Sequence, residues 1–205
     1  LTDPVRVEVT PVSSTAERIN QSVMYVERSQ KKSLLRHVLQ DKALKRVIVF
    51  TRTKHGANQV SEVLAKNGIQ SAAIHGNKSQ GARQRALEDF RVGRIRVLVA
   101  TDIAARGIDI DGITHVINYE LPNIAESYVH RIGRTARAGA DGIAISFCDG
   151  EERAYLRDIE RLTGQKVEVI IDHPYHNANS LTAPILSKGK AKAAIEGRGG
   201  GGHHP

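Results

Sequence analysis

An α/β fold, a parallel sheet with helices on both faces, is predicted by three features of the residue order. Between Ile19 and Asp172, short β-branched apolar runs alternate with amphipathic stretches, the pattern of strand and helix in turn. The apolar runs are mostly continuous rather than alternating with polar residues, as strands covered on both faces must be. The stretches between them carry helix punctuation: side-chain oxygens that can cap the starts, and glycines that can end them.

In chain order, strands are predicted at Val23–Val26, Val47–Thr51, Ser71–Ile74, Arg96–Ala100, His115–Asn118, Ile143–Phe147 and Val167–Ile170. Thr53 and Ser79 are the expected N-caps, and Gly68, Gly93 and Gly164 fall just past the last turns. After Ser79, the residues Ala82, Ala86, Leu87 and Phe90 share one helical face and leave Arg83, Arg85 and Glu88 toward solvent or a ligand. A later helix points Ala125, Tyr128, Val129 and Ile132 inward by the same spacing. The segment Thr10–Ala16 (TPVSSTA) reads as linker, so residues 1–18 are expected to join this unit to another and 19–172 to form the domain. Beyond Pro174 the chain becomes rich in Asn, Ser, Lys and Gly, and 173–205 is expected to be a disordered basic tail or a solvated linker.

A chain of 205 residues with 40% hydrophobic composition can bury one substantial core. A net charge of +8 and a pI near 9.8 favour a polyanionic partner, nucleic acid or an anionic membrane surface. No apolar run approaches the roughly 18 to 20 residues of a membrane span, which argues against a membrane protein. The single cysteine, Cys148, excludes an internal disulfide and a Cys-based zinc cluster and fits a reducing cytoplasm; as a lone thiol it reads as core packing. The chain opens on Leu1 rather than Met, with no signal-peptide pattern after it, and reads as a fragment.

Two stretches concentrate chemistry. In His130-Arg131-Ile132-Gly133-Arg134-Thr135-Ala136-Arg137-Ala138-Gly139, arginines recur every third residue at the end of an amphipathic helix. A guanidinium stays charged at any working pH and offers a rigid fork of donors, which suits the spread charge of a transferring phosphoryl group. A solvated basic face is the simpler reading of three arginines alone. The second stretch, Val99-Ala100-Thr101-Asp102-Ile103-Ala104-Ala105-Arg106-Gly107-Ile108-Asp109-Ile110, delivers polar residues to the carboxyl end of a strand, the edge at which open α/β sheets bind ligands.

Together these strings resemble motifs V and VI of superfamily 2 helicases, and His-Arg-x-Gly-Arg resembles the DEAD-box branch. Val47–Lys54 (VIVFTRTK) looks like motif IV, Ile74-His75-Gly76 like the HG element, and Gln80-Gly81-Ala82-Arg83 like the QxxR element. The resemblance covers roughly Asp3 to Asp172, and the wording IGRTARAG, with Ala136 where most members have Gly, is similar to the bacterial RhlE-type subgroup. It implies the C-terminal RecA-like domain of an ATP-dependent RNA helicase, a monomer when isolated, whose partners are RNA and an N-terminal RecA-like domain of the same polypeptide.

By the resemblance, Arg131 and Arg134 would be arginine fingers reaching the γ-phosphate of ATP. Asp109 would accept from a ribose hydroxyl, Arg106 and Arg137 would brace the loop, and His130 would link nucleotide state to domain closure. Thr51, Arg52, Gly76, Arg83 and Thr101 would line an RNA surface that grips phosphates and sugars without reading bases. For Asp109 the alternative is a cap on the turn after Gly107, for His130 a satisfied partly buried histidine, and for Thr51 and Gly76 strand-end capping and turn geometry. No G-x-x-x-x-G-K-[ST] string and no Asp-Glu-Ala-Asp box occur. ATP and Mg²⁺ would therefore be held mainly by the N-terminal domain, and this chain alone is expected not to hydrolyse ATP. Two rival readings are an RNA-binding module with no enzymatic partner and half of a DNA helicase from another superfamily 2 branch.

Overall fold

The computed structural model describes residues 12–135 and 141–198. Seven strands, β1 (Ile19–Tyr25), β2 (Val47–Phe50), β3 (Ser71–Ile74), β4 (Val97–Ala100), β5 (His115–Asn118), β6 (Gly142–Cys148) and β7 (Glu168–Val169), form one sheet in the order β3-β4-β2-β5-β6-β1-β7. Every pairing is parallel, with Val47–Phe50 in register between Val97–Ala100 and His115–Asn118. The period of two along a strand divides the core. Ile48, Phe50, Leu98, Ala100 and Val116 face one side, while Val47, Val49, Val97, Val99 and Ile117 face the other. Cys148 is fully buried in the first of these clusters, as its isolation implied.

Among the described residues the helices are α1 (Val12–Glu17), α2 (Lys31–Val38), α3 (Lys54–Lys66), α4 (Gln80–Arg91), α5 (Asp102–Ala105), α6 (Ala125–Ile132), α7 (Arg153–Thr163), α8 (Ala178–Thr182) and α9 (Lys188–Gly197). The predicted caps form: the Thr53 hydroxyl accepts from Gly56 N–H at 3.0 Å and the Ser79 hydroxyl from Ala82 N–H at 3.1 Å. Each such cap stabilises its helix by about 1 kcal/mol. Gly68, Gly93 and Gly164 take φ of 74°, 82° and 69° past the ends of α3, α4 and α7, backbone that side chains with a Cβ rarely adopt. Helix α3, which follows β2, buries Ala57, Val60 and Leu64 on one face; α6, which follows β5, buries Tyr128, Val129 and Ile132 on the other. The adjacent strands β2 and β5 thus send their chains to opposite faces, which opens a crevice at their carboxyl ends.

Both ends differ from the sequence reading. Within the segment expected to be linker, Val12–Glu17 is helical and buries Ala16 completely. Residues 173–198, expected to be disordered, pack on the domain. Asn177 donates its N–H to Tyr25 O (3.1 Å) and caps α8 through its side chain. Ser180 donates its hydroxyl to Val26 O (3.3 Å). Ser187 caps α9, whose Ala191 is fully buried and whose Ile195 joins Leu181 and Leu186 against the core. Arg153 reaches Ala183 O, and Arg198 pairs with Glu151. A few well-spaced apolar anchors and two side-chain caps order a stretch whose average composition is polar. No helix among the described residues is long and apolar enough to cross a membrane.

Candidate functional site

Because every strand is parallel, all carboxyl ends reach one rim. There β2 delivers Thr51 and Arg52, β4 delivers Thr101 and Asp102, β5 delivers Tyr119 and Glu120, and β6 delivers Asp149. A cavity of about 1220 Å³ lies along this rim, lined among others by Lys31, Arg52, Asp102, Glu120 and Asp149 and closed on one side by Ile195 and Arg198 of the C-terminal segment.

Arg131 is the largest fully buried side chain of the domain, at 1% exposure. The apolar face of α6 carries it inward. Its Nε donates to Asp102 Oδ1 at 2.6 Å and its Nη2 to Oδ2 at 2.8 Å, a bidentate fork. Its Nη1 donates to Glu120 O (2.6 Å) and Asn118 Oδ1 (3.3 Å), and the guanidinium lies 5.1 Å from the centre of the Phe50 ring. One side chain therefore ties α6 to the ends of β2, β4 and β5. This corrects the expected pairing of Arg131 with Arg134 at a ligand: Arg131 is turned into the domain and presents nothing at the surface.

Arg134 lies three residues on, past the helix end at Gly133, and stays half-buried at the rim. Its Nη1 donates to Ile108 O at 2.8 Å, so the loop after α6 is joined to the loop after α5. Arg106, Asp109 and His130 are exposed on the same two stretches, with Gly107 at φ 75° forming the bend between them. Arg137 lies outside the described residues. The structure thus assembles Arg106, Asp109 and Arg134 around one pair of loops.

The residues expected to face RNA divide. Arg52 is committed internally. Its guanidinium reaches Glu152 Oε2 and Glu120 Oε2, both at 2.9 Å, and Leu121 O at 2.8 Å, while 20% of the side chain stays exposed on the rim cavity. Thr51 is fully buried and donates its hydroxyl to Thr53 O (3.0 Å), a strand-end cap. Gly76 is exposed, and a Cβ there would meet nothing within 4 Å. Buried His75 beside it accepts from Asn77 N–H through Nδ1 and faces Asn58 Oδ1 through Nε2, and burial, with Lys78 and Lys54 nearby, lowers its pKa, so it pins this turn as a neutral ring. Arg83 reaches Ala104 O at 3.4 Å from Nη2 while its buried Nε has no partner among the described residues, and Thr101 sits half-buried one turn away.

Under the rim runs a charge network that spacing could not reveal. Glu152, fully buried, accepts from Lys31, Arg52 and the Leu121 N–H. Burial pushes its carboxyl up, but the Lys31 and Arg52 cations outweigh this and hold it at about 2. Asp149, which accepts from Glu152 N–H (3.0 Å), is pushed up to about 7 by burial and by the Glu152 charge. Lys31, despite its burial, is raised by Glu152 and Asp149 and stays charged. Glu120 joins the two networks, since its side chain holds Arg52 and its carbonyl holds Arg131.

Residues 30–139 match the family model of the helicase conserved C-terminal domain. The ATP-dependent RNA helicase RhlB of Pseudomonas syringae pv. tomato is 43% identical over 166 residues, 81% of this chain and 42% of that protein. E. coli DEAD-box protein SrmB, bound to regulator of ribonuclease activity A, superposes with a TM-score of 0.73 at 34% identity, covering 82% of this chain and 98% of that one. S. cerevisiae Dbp5 bound to RNA and ADP BeF3 also gives 0.73, at 32% identity over 80% of this chain and 44% of that one. The chain belongs to the helicase conserved C-terminal domain family and has the RecA-like fold of the DEAD-box C-terminal domain. It spans less than half the length of the curated relatives it matches.

Proposed function

We propose that this chain is the C-terminal half of an ATP-dependent DEAD-box RNA helicase, and that Arg134 is the arginine it contributes to phosphoryl transfer. The observation that carries the reading is the division of labour between two arginines. Arg131 is locked behind the rim by Asp102, and Arg134 is held at the rim by Ile108 O. A guanidinium placed in this way can meet charge that develops on a phosphate approaching from outside without reorganising first. ATP, when bound with Mg²⁺ mainly by an N-terminal RecA-like domain, supplies the phosphoryl bond whose cleavage drives the cycle. On the residues of this chain, the rim fits one side of such a ligand: Asp109 can accept from a ribose hydroxyl, Arg106 lies exposed beside it, and exposed His130 stands next to the Arg131 anchor.

RNA would lie across Gly76, Arg83 and Thr101, with exposed Gly76 and part-exposed Arg83 on the side that faces it. Arg52, Thr51 and Arg131 shape this surface from beneath and position what touches the ligand. Local strand separation, a cytoplasmic location and inactivity of the isolated chain as an ATPase belong to the same proposal. The RhlE-type affiliation rests on the IGRTARAG string alone. Joining the chain to an N-terminal RecA-like domain tests the whole: RNA-stimulated phosphate release is expected from the joined protein and not from this chain. Steady RNA-stimulated turnover by the 205-residue chain overturns the reading.

A further inference from the structure

A second cavity, of about 890 Å³, opens at the opposite edge of the sheet, where β2, β4 and β5 begin. Arg36, Lys42, Lys45, Arg46 and Arg96 line it, and no Asp or Glu does. Arg46 and Arg96 are held by main-chain carbonyls. Arg46 donates to Asp111 O (2.7 Å) and to Arg91 O and lies 5.9 Å from the centre of the Phe90 ring. Arg96 donates to Leu44 O (3.0 Å) and Leu39 O (2.8 Å). Carbonyls orient a guanidinium but do not cancel its charge, and a concave wall of one sign focuses its field. Arg36, Lys42 and Lys45 are exposed around the mouth, while Leu39, Ile69 and Ile95 contribute apolar surface to the lining.

We infer that this cavity is a binding site for a nucleotide-sized anion, one that carries two or more phosphates together with a flat apolar group. The phosphates meet the cationic mouth and the ring meets the Leu39, Ile69 and Ile95 surface. The volume falls in the ordinary range for small-molecule sites, roughly 300 to 1,000 Å³. An extended nucleic-acid backbone would gain little from an apolar recess of this size. The site is separate from the rim: four-residue strands of roughly 3.3 Å rise per residue lie between them, so both can be filled at once.

The test is amide NMR on the ¹⁵N-labelled 205-residue chain, titrated separately with ADP, inorganic triphosphate, adenosine and a short single-stranded RNA. ADP is expected to shift amides in 39–46, 69, 95–96 and 112–114, to bind more tightly than triphosphate or adenosine, and to bind at least tenfold more weakly to the surface variant Lys42→Glu with Lys45→Glu. The spectrum of that variant shows directly that it is folded. ADP shifts confined to 101–109 and 131–135, unchanged affinity in the folded variant, or no saturation by about 10 mM ADP overturn the inference. RNA that shifts the same back-edge amides more tightly than ADP does also overturns it, and makes the face a nucleic-acid surface instead.

Discussion

Replacing Arg131 by Ala separates a positioning arginine from a phosphate-facing one. The substitution strands the Asp102 carboxylate, leaves Glu120 O and Asn118 Oδ1 without their donor, and opens a cavity under Phe50. Removing one partner of a buried ion pair costs about 3 to 5 kcal/mol. The Asp102 side chain is 38% exposed and keeps part of its hydration, which places the cost near the lower end. At roughly 2 to 4 °C per kcal/mol for a domain of this size, thermal unfolding followed by circular dichroism should shift down by about 6 to 12 °C. Arg131→Lys keeps the charge but loses the fork and should fall between Ala and wild type. Arg134→Ala, which gives up the bond to Ile108 O at a half-buried rim position, should lose much less than Arg131→Ala. Equal melting temperatures for Arg131→Ala and wild type, or equal losses for the two Ala variants, would refute this assignment of roles.

The buried carboxylates give a pH signature. Glu152, held at about 2 against an ordinary 4.5, contributes stability above pH 4.5 that is lost as the pH falls toward 2. Asp149 has the opposite sign: its folded pKa of about 7 lies above the ordinary 3.8, so the folded state binds the extra proton and its contribution falls as pH rises from 4 to 7. Asp149→Asn should therefore raise the melting temperature at pH 8, change it little at pH 5, and flatten the profile between them; an unchanged slope contradicts the shift. In limited proteolysis, cleavage should spare 173–198 while the domain is folded, and Ala191→Glu, which puts a charge into a fully buried position, should expose that segment to early cutting. A wild-type chain clipped first at Pro174–Asn179 would mean that the segment does not dock.

How far the sequence carries can be read from particular residues. The central strands were legible because apolar β-branched runs such as Val47–Phe50 and Val97–Ala100 are buried on both faces, whereas β1 begins at Ile19, four residues before the predicted start, because its first half carries polar Asn20, Gln21 and Ser22. Thr53, Ser79 and the three glycines were legible because caps and left-handed stops are local chemistry. The C-terminal segment was not, since its order depends on where Ala191, Ser180 and Ile195 land on the folded surface rather than on its own composition. Arg131 and Arg134 look alike at a spacing of three, and only the positions of Asp102 and Glu120, brought in from other strands, decide which one turns inward. The Lys31–Glu152 pair spans 121 residues of chain and carries no sequence signal at all.

The most direct measurement of the central claim is RNA-stimulated ATP hydrolysis by this chain joined to its N-terminal RecA-like domain, with and without Arg134→Ala. If Arg134 is the guanidinium presented to the transferring phosphate, the turnover rate should fall by about 10³-fold or more while the melting temperature holds. Turnover within tenfold of wild type in a folded Arg134→Ala protein would contradict the account.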